Sequence, residues 1–262
     1  MVNGVVKIES VYSEMDITNL KKLYNESWNN VKKVWPDRWY YRKYLDMNNK
    51  YDNFMGTDLY NGRKIAYLDD TMILDMGNNR FDFTYQLETL NQTPLPDIIS
   101  NLLDTLLGPD YHYYWGGLPV EPQTGIDHDY KNDGKWHRDA YSLFNNEKLD
   151  LELPPFYYTI LIPLDDYLGG TEFISGSHKI NLSQNKITDG EKLLEWADQM
   201  SITRKIKPEL HSGDIILFHG YTIHRGLHIP GNKSRDMMYI VAKKTWYNDE
   251  PSENYIEHMI TN

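Results

Sequence analysis

His137 and Asp139 flank Arg138 in a strand-like run, Trp136 to Leu143. An extended chain turns every second side chain to the same face. An imidazole and a carboxylate at positions 137 and 139 therefore point the same way. A second histidine, His224, ends the apolar run of the segment GDIILFHGYTIHRG, residues 213–226. Two histidines and one carboxylate on one side of an ion make a facial triad with open coordination positions, the pattern of non-haem Fe(II) oxygenases. Arg235 follows eleven residues after His224, beyond a Gly231-Asn232 turn. That is enough chain to leave one strand, turn and return beside it, so the arginine can face the same cavity. Its planar fork suits a carboxylate better than a lysine would. His-x-Asp alone is common; the later histidine and arginine give it weight.

The elements that must position these residues are mostly short strands. Tyr111–Trp115, Trp136–Leu143, Phe156–Leu164, Thr171–Ile174, Ile215–Phe218 and Met237–Lys243 have strand character and are separated by Pro, Gly, Asn and Asp. Earlier β-like runs are Lys64–Tyr67, Met72–Leu74 and Arg80–Tyr85. Ile17, Leu20, Leu23, Tyr24, Trp28 and Val31 fit one face of a helix over 16–33, with Asp16 as its cap. A second helix runs from Pro96 to Leu107, with an apolar stripe from Ile98 to Leu107 and Gly108 past its end. A third is expected near Asp189–Gln199. The expected class is α+β with a mainly β core: one domain, with a helical part over about residues 1–110 and a jelly-roll core of the cupin kind over about 111–245.

Composition narrows the function. The chain has 262 residues and a formal net charge of −11, which argues against a nucleic-acid partner. There is no cysteine, which excludes disulfides, thiolate metal sites and a cysteine nucleophile. No apolar run approaches the roughly 18 residues that span a membrane, and the first ten residues lack a signal-peptide core. The expectation is a cytoplasmic protein without a membrane partner. Twenty-one tyrosines suit half-buried strands and amphipathic pocket walls.

Three segments in order, WHRDA, LDDYLGGTEFISGSHK at 164–179, and GDIILFHGYTIHRG with SRDMMYIVA behind it, resemble the phytanoyl-CoA dioxygenase family of Fe(II)/2-oxoglutarate oxygenases. The resemblance covers roughly residues 111–243. It implies a double-stranded β-helix, Fe(II) held by His137, Asp139 and His224, and Arg235 on the distal carboxylate of 2-oxoglutarate. It implies O2 and a small molecule as the other reactants, with release of succinate and CO2. The carboxylate of Asp139 fits hydroxylation, since related halogenases carry a small residue there. Two departures stand out. Gly226 occupies the place where the family often has a serine that helps the arginine, leaving Thr159 or Tyr158 on the facing strand as the helper. Arg138 stands where a glutamine is usual, either as a positive charge near the pocket mouth that suits an anionic substrate or as a solvated arginine. His219 is the best competitor of His224; His178, His112, His128, His211, His228 and His258 read as structural. Asn145–Pro155 and Asn181–Leu210 are either segments that shape substrate choice or surface insertions without function. Two other readings stay open: a non-catalytic jelly-roll binding protein, and a non-redox metal-dependent enzyme. Arg235 discriminates against the latter, because a hydrolase has no use for such a clamp.

Overall fold

Ser13 opens the first long helix. Its hydroxyl accepts from the Asp16 amide, and its own amide and hydroxyl donate to the Asp16 carboxylate. This reciprocal pair is a capping box, so Ser13 and not Asp16 is the cap, and helix α1 runs from Glu14 to Val34. The computed structural model describes residues 2–34, 64–68, 71–77, 80–84, 95–120, 136–140, 152–166, 170–181, 190–227 and 234–247. Residues 36–60 and most of 145–155 lie outside these, as do His128, His228 and His258.

Helix α1 buries Ile17, Leu20, Tyr24 and Trp28, four of the six residues that marked its apolar face. Helix α2, Asp97–Leu107, buries Ile99, Leu103 and Leu107 and leaves Ile98 half exposed. Pro96 sits just before it, where a missing amide hydrogen costs nothing. Gly108 ends it at φ +72°, with its amide on the Asp104 carbonyl.

The described strands form two antiparallel sheets. Those of the large sheet are β1 (Val5–Ile8), β2 (Lys64–Leu68), β3 (Thr71–Gly77), β4 (Arg80–Thr84), β5 (Tyr111–Gly117), β6 (Tyr157–Pro163), β9 (Ile215–His219) and β11 (Met237–Lys244), in the order β1-β9-β6-β11-β5-β4-β3-β2. The small sheet has β10 (His224–Gly226), β7 (Thr171–Ile174) and β8 (Lys205–Ile206), in that order, and His137 extends it by a bridge to His224. From β5 onward the chain passes back and forth between the two sheets. Helix α3, Gly190–Arg204, precedes β8. The overall class is mixed helix and antiparallel sheet.

Strand alternation gives the large sheet two unlike faces. Ile160, Ile162, Leu217, Met238, Ile240 and Ala242 are fully buried in the core shared with α1 and α2. The alternate residues Tyr114, Thr159, Leu161, Tyr239 and Val241 retain 4–8% of their surface. That face turns toward the small sheet.

The sequence missed β1, β8 and β10, which have four, two and three residues. Pieces this short carry no readable periodicity; their partners in the sheets define them. From residue 234 the described chain also does not lie beside β10. Arg235 pairs with Val120, and β11 enters the large sheet. Histidine and arginine thus sit on different sheets.

Candidate metal centre

His224 opens β10, opposite Phe173 on β7. Its backbone exchanges two hydrogen bonds with His137, His137 N to His224 O at 2.9 Å and His224 N to His137 O at 3.0 Å. This bridge sets the two rings 4.3 Å apart, centroid to centroid. Asp139 is fixed next, its amide donating to the Gly220 carbonyl. The three ligand atoms lie within 4.8 Å of one another. Asp139 Oδ1 is 3.4 Å from His224 Nε2 and 3.8 Å from His137 Nε2.

The neighbours of the triad orient it. His224 Nδ1 lies 2.9 Å from the Thr222 carbonyl. A carbonyl only accepts, so Nδ1 carries the proton and Nε2 offers its lone pair. Thr159 Oγ1 donates to Asp139 Oδ2 at 2.6 Å, leaving Oδ1 to face the imidazoles. Phe218 and Phe173 flank the His224 ring, with centroids at 4.6 and 5.7 Å. They make the wall behind it dry. The buried Ser177 of the GSHK segment accepts from the Ile223 amide at 2.8 Å and so pins the turn that delivers His224.

Arg235 is buried, and its Nη1 donates to the Gly170 carbonyl. A β-carbon on Gly170 would come within 2.7 Å of that nitrogen, so the guanidinium is seated over a glycine. Gly170 carries no sequence signal for this role beyond its place in the GGTEF run. Alternation along β11 gives Arg235 the same face as Tyr239 and Val241.

The other expected residues fall elsewhere. Arg138 turns away from its two neighbours. Its Nη2 donates to the Ile180 carbonyl at 2.9 Å, with the Ser177 carbonyl at 3.4 Å, and its guanidinium lies over the Tyr221 ring. Thr159 meets Asp139, as described. Tyr158 is on the opposite face of β6, edge-on to His219. His219 accepts from the Tyr221 amide and stays outside the triad. Burial, then His178 and Arg138, push it down to about 3. Helix α3 lies over the small sheet and forms an apolar cluster with Trp136, Ile174 and Ile223.

A family model described as "Phytanoyl-CoA dioxygenase (PhyH)" matches residues 2–237. The chain belongs to that family. No curated protein sequence matches it. Among solved structures it is similar to HygX from Streptomyces hygroscopicus with nickel and 2-oxoglutarate bound, at 12% identity over 94% of this chain and 85% of that one, TM-score 0.55. It is similar also to SnoN, a non-haem α-ketoglutarate-dependent epimerase from nogalamycin biosynthesis (14% identity, 93% and 77% covered, TM-score 0.55). SnoK, a carbocyclase of the same biosynthesis, matches at 15% identity (93% and 81% covered, TM-score 0.55). At such identities the likeness is one of fold.

Family membership makes the protein an Fe(II)- and 2-oxoglutarate-dependent oxygenase. The donor set fits that ion: two imidazole nitrogens and one carboxylate oxygen converge, with second contacts that fix the tautomer of one imidazole and the orientation of the carboxylate. No helix among the described residues is long and apolar enough to cross a membrane.

Proposed function

We propose that the protein hydroxylates a small molecule, on a double-stranded β-helix that carries Fe(II) on His137, Asp139 and His224 and clamps 2-oxoglutarate through Arg235. One observation carries this reading: three ligand atoms lie within 4.8 Å of one another, hydrogen-bonded to the large sheet through Thr159, and strand alternation puts a buried arginine on the same face of that sheet as Thr159. The two sheets and their alternating strands support the β-helix. Iron and 2-oxoglutarate, when bound, supply O2 activation with release of succinate and CO2. The chain's own work is positional. Thr222 directs the lone pair of His224, Thr159 holds Asp139 with one oxygen free, and the phenylalanines keep water from the imidazole. Arg235 offers the carboxylate two parallel donors in a buried setting, where such bonds are strong. Thr159 is better suited to orient Asp139 than to assist Arg235.

SnoN and SnoK, named as an epimerase and a carbocyclase, favour a second outcome of the same chemistry: hydrogen abstraction without hydroxylation. The retained carboxylate is compatible with both, and we place hydroxylation first.

Anaerobic titration of the Fe(II)-loaded protein with 2-oxoglutarate tests the reading. A weak charge-transfer band near ~500 nm is expected for chelation at an open ferrous site. Iron binding without that band would remove 2-oxoglutarate from the proposal. Succinate release with candidate small molecules then finds the substrate, and oxygen from O2 in the product separates hydroxylation from epimerisation or ring closure.

A further inference from the structure

The small sheet has a back as well as a front, and the residues next to each histidine ligand occupy it. Trp136 precedes His137, and Arg225 follows His224. The Arg225 guanidinium carbon lies 4.4 Å from the Trp136 ring centroid, a cation–π stack. Arg225 Nε donates to Glu172 Oε1 at 2.5 Å, and Glu172 pairs with Arg225 in the register of β7 and β10. Glu172 is buried, with Lys205 Nζ 3.7 Å from its other oxygen. The Trp136 indole nitrogen donates to Asp198 Oδ1 on α3 at 2.9 Å. Ile223, just before His224, is buried in the same cluster under α3 as Trp136 and Ala197.

Among the described residues, His137 lies in an isolated bridge and not in a strand. Among the described residues its backbone tie to the small sheet is the two-bond bridge to His224. The stack on the back joins the same two segments a second time, through side chains. We propose that Trp136 and Arg225 are positioning residues for the metal centre, locking the spacing of His137 and His224 from behind and anchoring it to α3 through Asp198 and to β7 through Glu172. This rests on the metal reading above. It gives the segment around α3 a part in metal geometry, distinct from substrate choice.

The test compares Trp136→Leu, which deletes the π face, and Arg225→Lys, which keeps the charge near Glu172 but loses the planar stack. The control is Leu103→Ala, a core truncation on α2 away from the small sheet. Fe(II) affinity, the charge-transfer band with 2-oxoglutarate and the melting temperature are read for each. Both back-face variants are expected to weaken iron binding by about tenfold or more, the usual size of a lost outer-shell support, and to shift or broaden the band. The control is expected to lower the melting temperature at unchanged iron affinity. Wild-type affinity and band in both variants would overturn the proposal. So would an equal loss of affinity in Leu103→Ala, which would make the effect one of general stability. If Trp136→Leu does not fold, Arg225→Lys decides alone. A wild-type protein that binds iron but shows no band would sink the cosubstrate reading only, and the iron affinities would still decide this one.

Discussion

Asp139 has two carboxylate oxygens, and the fold gives them different partners. Oδ2 accepts from Thr159, while Oδ1 faces both imidazoles. Thr159→Val removes the hydroxyl at nearly constant volume and frees the carboxylate to rotate. Iron affinity should fall about 10- to 100-fold, measured by anaerobic Fe(II) titration; full affinity would show the hydroxyl to be dispensable. Arg235 depends in the same way on Gly170. A methyl group there collides with Nη1 at the flexible end of the side chain, so the arginine moves and the backbone stays. Gly170→Ala should raise the KM for 2-oxoglutarate roughly tenfold, about one charge-assisted hydrogen bond, with iron affinity unchanged. A normal KM would separate Arg235 from the cosubstrate. His137 and Asp139 were legible as a pair because residues two apart in an extended chain face the same way; His224 was picked out by the segment that carries it, and folding brings it within 4.8 Å of the pair. The facing of Arg138 and the partner of Thr159 were not legible. Thr159 and Asp139 lie twenty residues apart in the chain, and only packing brings them together.

At the scale of elements, apolar periodicity foretold α1, α2 and most strands, because a helix or strand face repeats within a few residues. Ser13, one position short of the helix, was overlooked as its cap. The capping box is nonetheless present in the sequence, as a serine with an acid three residues on. Helix α2 buries Leu103 in the core on the far side of the large sheet from the triad. Leu103→Ala should cost about 2–5 kcal/mol of stability, seen as a lower denaturant midpoint, and leave iron binding intact. A joint loss would mean that the helical layer supports the site directly.

For the whole molecule, two half-buried histidines, His178 and His219, contribute to acid sensitivity. Burial lowers His178 to about 4 and His219 to about 3, against an ordinary value near 6.5. The unfolded chain therefore takes up protons near pH 6.5 while the folded chain does so only near 3–4. Between these values the unfolded state binds more protons, so stability is full above about pH 6.5 and falls as pH drops below it. His219→Gln, which offers another acceptor to the Tyr221 amide, should flatten the fall of melting temperature of the iron-free protein between pH 7 and 5. An unchanged slope would assign the acid sensitivity to other groups.

From the chain alone one could read two histidines and an aspartate of types that suit a ferrous ion, an arginine after them, and the alternation of apolar residues that makes two-faced strands. The sequence also carried the family resemblance that the family match later bore out. The tertiary structure decided which oxygen of Asp139 is left open, which way Arg138 turns, and that His224 and Arg235 belong to opposite sheets. It also put the Trp136–Arg225 stack on the back of the small sheet. The division has a physical cause. Backbone geometry fixes the facing of near neighbours, whereas partners far apart in the chain are chosen only when the sheets close over a shared core.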